Sequence, residues 1–201
     1  MTPPRLAPLL DQFDFACERL SSRMTGPVMD SGDGTDTRVG PMTDAEYFWE
    51  PVAGRYCWNV RRRTSATPPD APGRGEYTVD FAFPQPDPPP VTTIAWRLAH
   101  VIVGCLGMRS ASHFGGPPID YQSFEYAGTA AQALAQLDAG YATWIAGARS
   151  LGADGLAEPC GPAEGPFADL SMAALVLHIH REVIHHGAEI SLLRDLYRRR
   201  E

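Results

Sequence analysis

Apolar positions recur along this chain mainly at helical spacing. Leu6, Leu9, Leu10, Phe13, Ala16, Cys17 and Leu20 share one face and predict a first helix over about 5–24. The stretch TTIAWRLAHVIVGCLGM is apolar nearly all round, as in a helix at the middle of a bundle, and predicts a second helix over about 92–110. It follows a triple proline that cannot itself continue a helix. A third helix is expected from Thr129, with Gln132 three residues on, and carries the stripe Leu134, Leu137, Tyr141, Trp144, Ala148 and Leu151. The fourth spans about 171–199.

The connections are long. GPVMDSGDGTDTRVGP, from Gly26 to Pro41, is rich in glycine and aspartate and predicts a mobile loop. Its spaced acids are like a calcium loop only superficially, because the ligand order and terminal glutamate are missing. Thr43-Asp44-Ala45-Glu46 has capping-box spacing and opens a short helical turn. EYFWEPVAGRYCWNVRRR then leads into a proline-rich excursion to Pro90, holding at most one small hairpin, with GEYTVDFAF as an alternating arm. Helices joined by loops, without alternating strands, predict an all-α four-helix bundle, one domain over 1–201. Its long connections, before the second helix and between the second and third, are where a substrate pocket can be built.

Composition narrows the function. A net charge of −7 argues against a nucleic-acid surface, which needs clustered positive charge. All seventeen basic residues are arginine, so a lysine Schiff base is excluded. That bias, with 19 glycines and 19 prolines, points to a G- and C-rich genome such as an actinobacterial one. The start MTPPRLAPLLDQF lacks a basic segment followed by an apolar core, so a cytoplasmic protein is expected. The longest apolar stretch contains Arg97 and His100 and is too short to span a membrane. Cys17, Cys57, Cys105 and Cys160 lie far apart, which predicts reduced thiols and no zinc site built on cysteine pairs.

The chemistry concentrates in HREVIHHGAEI, residues 180–190. Laid out by period, Leu175, Ile179, Glu182, His186, Ile190 (or Glu189), Leu193 and Tyr197 form one series, while His180, Arg181 and Arg194 point elsewhere. A carboxylate on such a stripe needs a partner. Residues four apart lie one above the other, so Glu182 and His186 can converge on one divalent cation. His100, midway along the second helix, is the best third ligand, and three protein ligands with an open position are the catalytic pattern. A hydrogen-bonded core explains the same residues equally well. His178 and His185 flank the stripe as pocket or supporting residues, His180 lies outside the site, and His113 is a candidate for its mouth.

The W-x-x-x-H of Trp96 and His100, the E-x-x-x-H of Glu182 and His186 with a following acid, and the tryptophan-bearing segment at 46–63 resemble the DinB superfamily. The resemblance is closest to its thiol-dependent branch, including mycothiol-dependent maleylpyruvate isomerase. It implies zinc held by His100, Glu182 and His186, and a homodimer. It also implies a small thiol such as mycothiol as co-substrate, for S-transfer to, or isomerisation of, a small electrophile. The donor set also accepts nickel or iron. Trp58, Trp96 and His185 are candidate pocket walls, and Glu189 is either a supporting partner of His186 or a general base. Cys105 is expected to be core packing near His100, and Arg61, Arg62 and Arg63 a solvated run rather than an anion site. The rivals are a hydrolase using metal-activated water and a non-catalytic metal-binding or stress-response bundle. No nucleic acid and no membrane are expected as partners.

Overall fold

Four long helical stretches carry the core of the computed structural model, which describes residues 6–26, 40–52 and 56–200. The expected loop at Gly26–Pro41 therefore lies, apart from its ends, outside the described residues. Helix α1 spans Ala7–Thr25, and the short α2, Asp44–Tyr47, opens on the expected capping box. There Glu46 N–H donates to Thr43 Oγ1 (3.2 Å), and Thr43 N–H donates back to Glu46 Oε2 (3.4 Å). Helix α5, Ala130–Ser150, is capped by Thr129, and helix α7, Met172–Arg198, by Ser171. Helix α6, Ala153–Ala157, and a 3₁₀ turn at Pro162–Phe167 fill the connection between α5 and α7.

The second long helix differs from its expectation. Thr93 caps it, accepting from Trp96 N–H, and it runs to Phe114, four residues past the expected end, stopping at Gly115 with φ 68°. Gly115 is the residue that takes this left-handed backbone at no steric cost. Between α3, Ile94–Ala99, and α4, Met108–Phe114, the backbone widens into π-helical bonding over His100–Gly107. Such stretches are rare and often accompany functional sites.

The excursion before α3 holds more strand than expected. Strand β2, Val60–Arg62, pairs antiparallel with β3, Tyr77–Val79, so GEYTVDFAF does supply one arm. A second, parallel pair joins β1, Cys57–Trp58, to β4, Val91–Thr92. It closes the excursion like a clasp and brings Trp58 beside the start of α3. The fold is mostly helical, with these short strands confined to one end. Among the described residues no helix is long and apolar enough to cross a membrane. All four cysteines are free.

Helix α7 corrects the expected stripe. Its fully buried line is Leu175, Val176, Ile179, His180, Val183, Gly187, Ile190, Leu193 and Arg194. His180 and Arg194 thus lie in the core rather than pointing elsewhere. Glu182 and His186 stand half-buried at the edge of that line. The reason is packing: α7 meets both α1 and the π-helical stretch, so its buried face is wider than a single stripe.

Candidate metal centre

Helix α7 stacks His178, Glu182 and His186 in one column four residues apart, as the i, i+4 rule requires. Glu182 Oε2 stands 3.7 Å from His186 Nε2, and Glu182 Oε1 stands 3.6 Å from His178 Nδ1. The π-helical stretch faces this column. His100, its first residue, meets His186 edge-on, with ring centroids 4.9 Å apart. One ligand atom from each of His100, Glu182 and His186 lies within 4.8 Å of the others.

Both imidazoles are held from behind. His186 Nδ1–H donates to Glu189 Oε2 (2.8 Å), which leaves the Nε2 lone pair directed towards Glu182. Glu189 also accepts from Arg97 Nη1. On His100, Nδ1 lies 2.9 Å from Tyr121 Oη, and Cys105 Sγ lies 3.6 Å from Nε2. Burial, followed by the Glu182 charge, pushes the Cys105 thiol up to about 12, so the sulfur keeps its proton. On His186 the Glu189 hydrogen bond leaves the tautomer that metal ligation uses.

Winding explains the Cys105 contact. In an α-helix the residue above His100 would be Gly104. Bonds from i to i+5 bring Cys105 over the ring instead. Gly104 leaves room for Tyr121: a Cβ there would stand 2.2 Å from Tyr121 Oη.

Electrostatics favour neutral imidazoles. Burial drives His186 down to about 4, helped by the charges of His100, Arg97 and His185 and opposed by Glu182. His100 is also lowered, by burial first, with Glu182 opposing and Arg109 and Arg97 adding. A neutral nitrogen free of protons is what a metal ion needs. The donor set, two imidazole nitrogens and one carboxylate oxygen, is one that divalent metal ions accept.

Other expected residues fall elsewhere. His185 is 61% exposed and pairs with Glu189 (3.4 Å), so it does not wall the pocket as expected. Its long reach into solvent follows from its place on the outer side of α7. His185, His186 and Glu189 also bring ligand atoms within 4.8 Å of one another, but Arg97 already places a cation on Glu189. Glu164 accepts from His113 Nε2 (2.9 Å) and from Arg109 Nη2 (3.2 Å), so His113 ties α4 to the 3₁₀ turn rather than lining the mouth. His180 stacks on Phe13 with centroids 3.8 Å apart. Sequence reasoning missed Tyr121. Its only signal was an aromatic residue in the long connection facing a glycine on the second helix.

A cavity of about 630 Å³ reaches His100 and Tyr121, with Trp58 and Trp96 among its walls. Both long connections build it: residues 58, 72, 79–83 and 85 come from the first, Tyr121 and Gln122 from the second. Trp96 stacks on His100 (5.6 Å, 12° between planes) and anchors itself by donating from Nε1 to Asp80 O (2.8 Å).

Fold and site together define a helical bundle with a two-helix His/Glu cluster beside an aromatic cavity. The chain belongs to the DinB superfamily, whose family model matches residues 30–190; many members are metal-dependent enzymes. No significant match is found among curated proteins or among solved structures.

Proposed function

We propose that this protein is a metal-dependent enzyme that uses a small thiol, such as mycothiol, for S-transfer to, or isomerisation of, a small electrophile. His100 Nε2, a Glu182 carboxylate oxygen and His186 Nε2 would hold a divalent cation, zinc by preference, with nickel or iron accepted by the same donors. When bound, such an ion supplies a Lewis acid that favours thiolate over thiol. The observation that carries the proposal is the convergence of three neutral or anionic ligand atoms within 4.8 Å beside an open cavity. Tyr121 and Glu189 orient the two rings, and Trp96 stacks on His100 beside the cavity. Cys105, held as a thiol, leaves the nucleophile's role to an external sulfur.

Hydrolysis is the weaker reading. Its general base would be Glu189, but that carboxylate is engaged by Arg97, His185 and His186. A non-catalytic bundle leaves the cavity against His100 unexplained. Exposed Leu177, Ile184, Leu192 and Leu196 along α7 support a homodimer. A cytoplasmic location completes the proposal.

Elemental analysis of tag-free protein tests the centre. About one divalent ion per chain is expected, and a Glu182→Ala/His186→Ala variant should lose it. The metal-loaded protein should then accelerate conjugation of mycothiol to 1-chloro-2,4-dinitrobenzene, in which a C–S bond replaces the C–Cl bond and chloride leaves. Protein that stays metal-free after incubation with zinc would overturn the proposal, and loaded protein that never turns over a small electrophile in a thiol-dependent way would leave only the metal site standing.

The supporting residues give a second expectation. Tyr121→Phe removes the partner of His100 Nδ1, and Gly104→Ala drives Tyr121 away from it. Each should weaken zinc binding by about 10–100-fold without loss of helix, read by competition with a chromophoric chelator. Wild-type affinity in Tyr121→Phe would show that the hydrogen bond orients nothing.

A further inference from the structure

The cavity beside His100 has a character that the metal centre does not dictate. Its walls include Trp58, Trp96, Phe81 and Phe83, with His100 and Tyr121 at one end. Trp58 lies 5.7 Å from Trp96 and 6.1 Å from Phe81, both tilted, so several ring faces surround one space. Phe81 and Phe83 are 65% and 90% exposed, an unusual cost for large apolar side chains at a rim. No arginine lines the cavity among the described residues, and Asp80 is its single charged wall residue.

The neighbouring arginines are turned to other work. Arg61 binds Asp80 (2.6 Å) and Glu50 (2.8 Å). Arg62, exposed to solvent, lines an adjoining outer cleft that shares Pro72, residues 79–83 and Gln122 with the cavity, and pairs with Glu76 (3.4 Å). Arg63 donates to the carbonyls of Ala71, Pro72 and Gly73. Arg97 is held by Glu189. A carboxylate entering the cavity would lose its hydration and meet the Asp80 charge with no arginine among the lining residues, which is unfavourable. A flat, uncharged ring system would exchange water for aromatic faces.

We propose that the cavity selects an uncharged aromatic small molecule and rejects dicarboxylates. Its role as the electrophilic substrate rests on the thiol-using reading above; the preference of its walls does not. At about 630 Å³ the space accommodates a fused two-ring compound with room beside His100 for a second reactant.

Calorimetric titration with 2-naphthol and with naphthalene-2,6-dicarboxylate tests this, on chelator-treated and on zinc-loaded protein. In the chelator-treated protein 2-naphthol should bind at least about tenfold more tightly than the dicarboxylate. Phe81→Ala/Phe83→Ala, a change of exposed residues, should weaken 2-naphthol by about three- to tenfold while leaving thermal unfolding and zinc content unaltered. Trp96→Ala should weaken it further. Equal or tighter binding of the dicarboxylate to the chelator-treated protein, or no binding of 2-naphthol to either form, would overturn the proposal. Because the comparison is made without metal, failure of the metal centre leaves this outcome readable. Zinc that reverses the preference only in loaded protein would overturn the assignment of the aromatic compound as substrate.

Discussion

Arg194→Met is expected to destabilise the fold by about 3–5 kcal/mol, the largest single-residue effect considered for this chain. Arg194 is 2% exposed, and its guanidinium is fully engaged. Nε donates to Glu46 Oε1 (2.6 Å), and Nη2 donates to Glu46 Oε2 (3.1 Å) and to Gly40 O (3.0 Å). Nη1 donates to Arg23 O. One side chain of α7 therefore holds the end of α1, the chain at Gly40 and the capping box of α2. Removing it leaves the Glu46 carboxylate buried with one long hydrogen bond from Thr43, and two carbonyls without a donor. The net worth of the pair against an apolar replacement is small; the cost arises from stranding one partner. Glu46→Gln/Arg194→Met should accordingly recover most of the loss, since the neutral amide keeps the cap and removes the charge. Urea unfolding at unchanged slope reads both. An Arg194→Met midpoint within experimental error of wild type would show that the carboxylate finds solvent or another partner.

That pair also marks where sequence reading stops. Helices, their N-caps at Thr43, Thr129 and Ser171, and the Glu182/His186 column all depend on neighbours within a few residues, so spacing reveals them. Glu46 was visible as a capping residue, but its partner lies 148 residues on and is fixed only by packing. Helix α7 is buried over a wide face, and a single stripe drawn by period placed Arg194 and His180 outside. His100 was legible as a histidine in an all-apolar helix, and the family resemblance joined it to α7. The π-helical winding was not legible, because no local propensity distinguishes it from α, and with it went the Cys105 contact. Trp58 and Trp96 were readable as cavity walls. Phe81 and Phe83 were hidden in a strand-like alternation, whereas β3 ends at Val79 and all of residues 79–83 line the cavity.

His180 should govern part of the acid limb of stability. It is 4% exposed, stacked against Phe13 and edge-on to Trp144 (6.4 Å), and its Nε2 has no partner. Burial pushes its pKa down to about 4, opposed by Asp14. An imidazole in the unfolded chain titrates near 6.5, so between about 6.5 and 4 the unfolded state binds the proton first. Stability therefore falls as pH falls through that window. The contribution is absent above it and reaches a penalty of about 3 kcal/mol below it. His180→Phe keeps the aromatic stack on Phe13 and removes the proton site. Its unfolding free energy should run flatter than wild type from pH 6.5 to 4, the two curves converging to a constant offset above pH 7. Chemical denaturation with chelator present makes the comparison, so that acid release of any metal does not add to the slope. Carboxylates titrate in both proteins and cancel in the difference. Parallel curves would mean that His180 accepts its proton as readily in the fold as in the open chain, through water or a shift of Trp144 towards it.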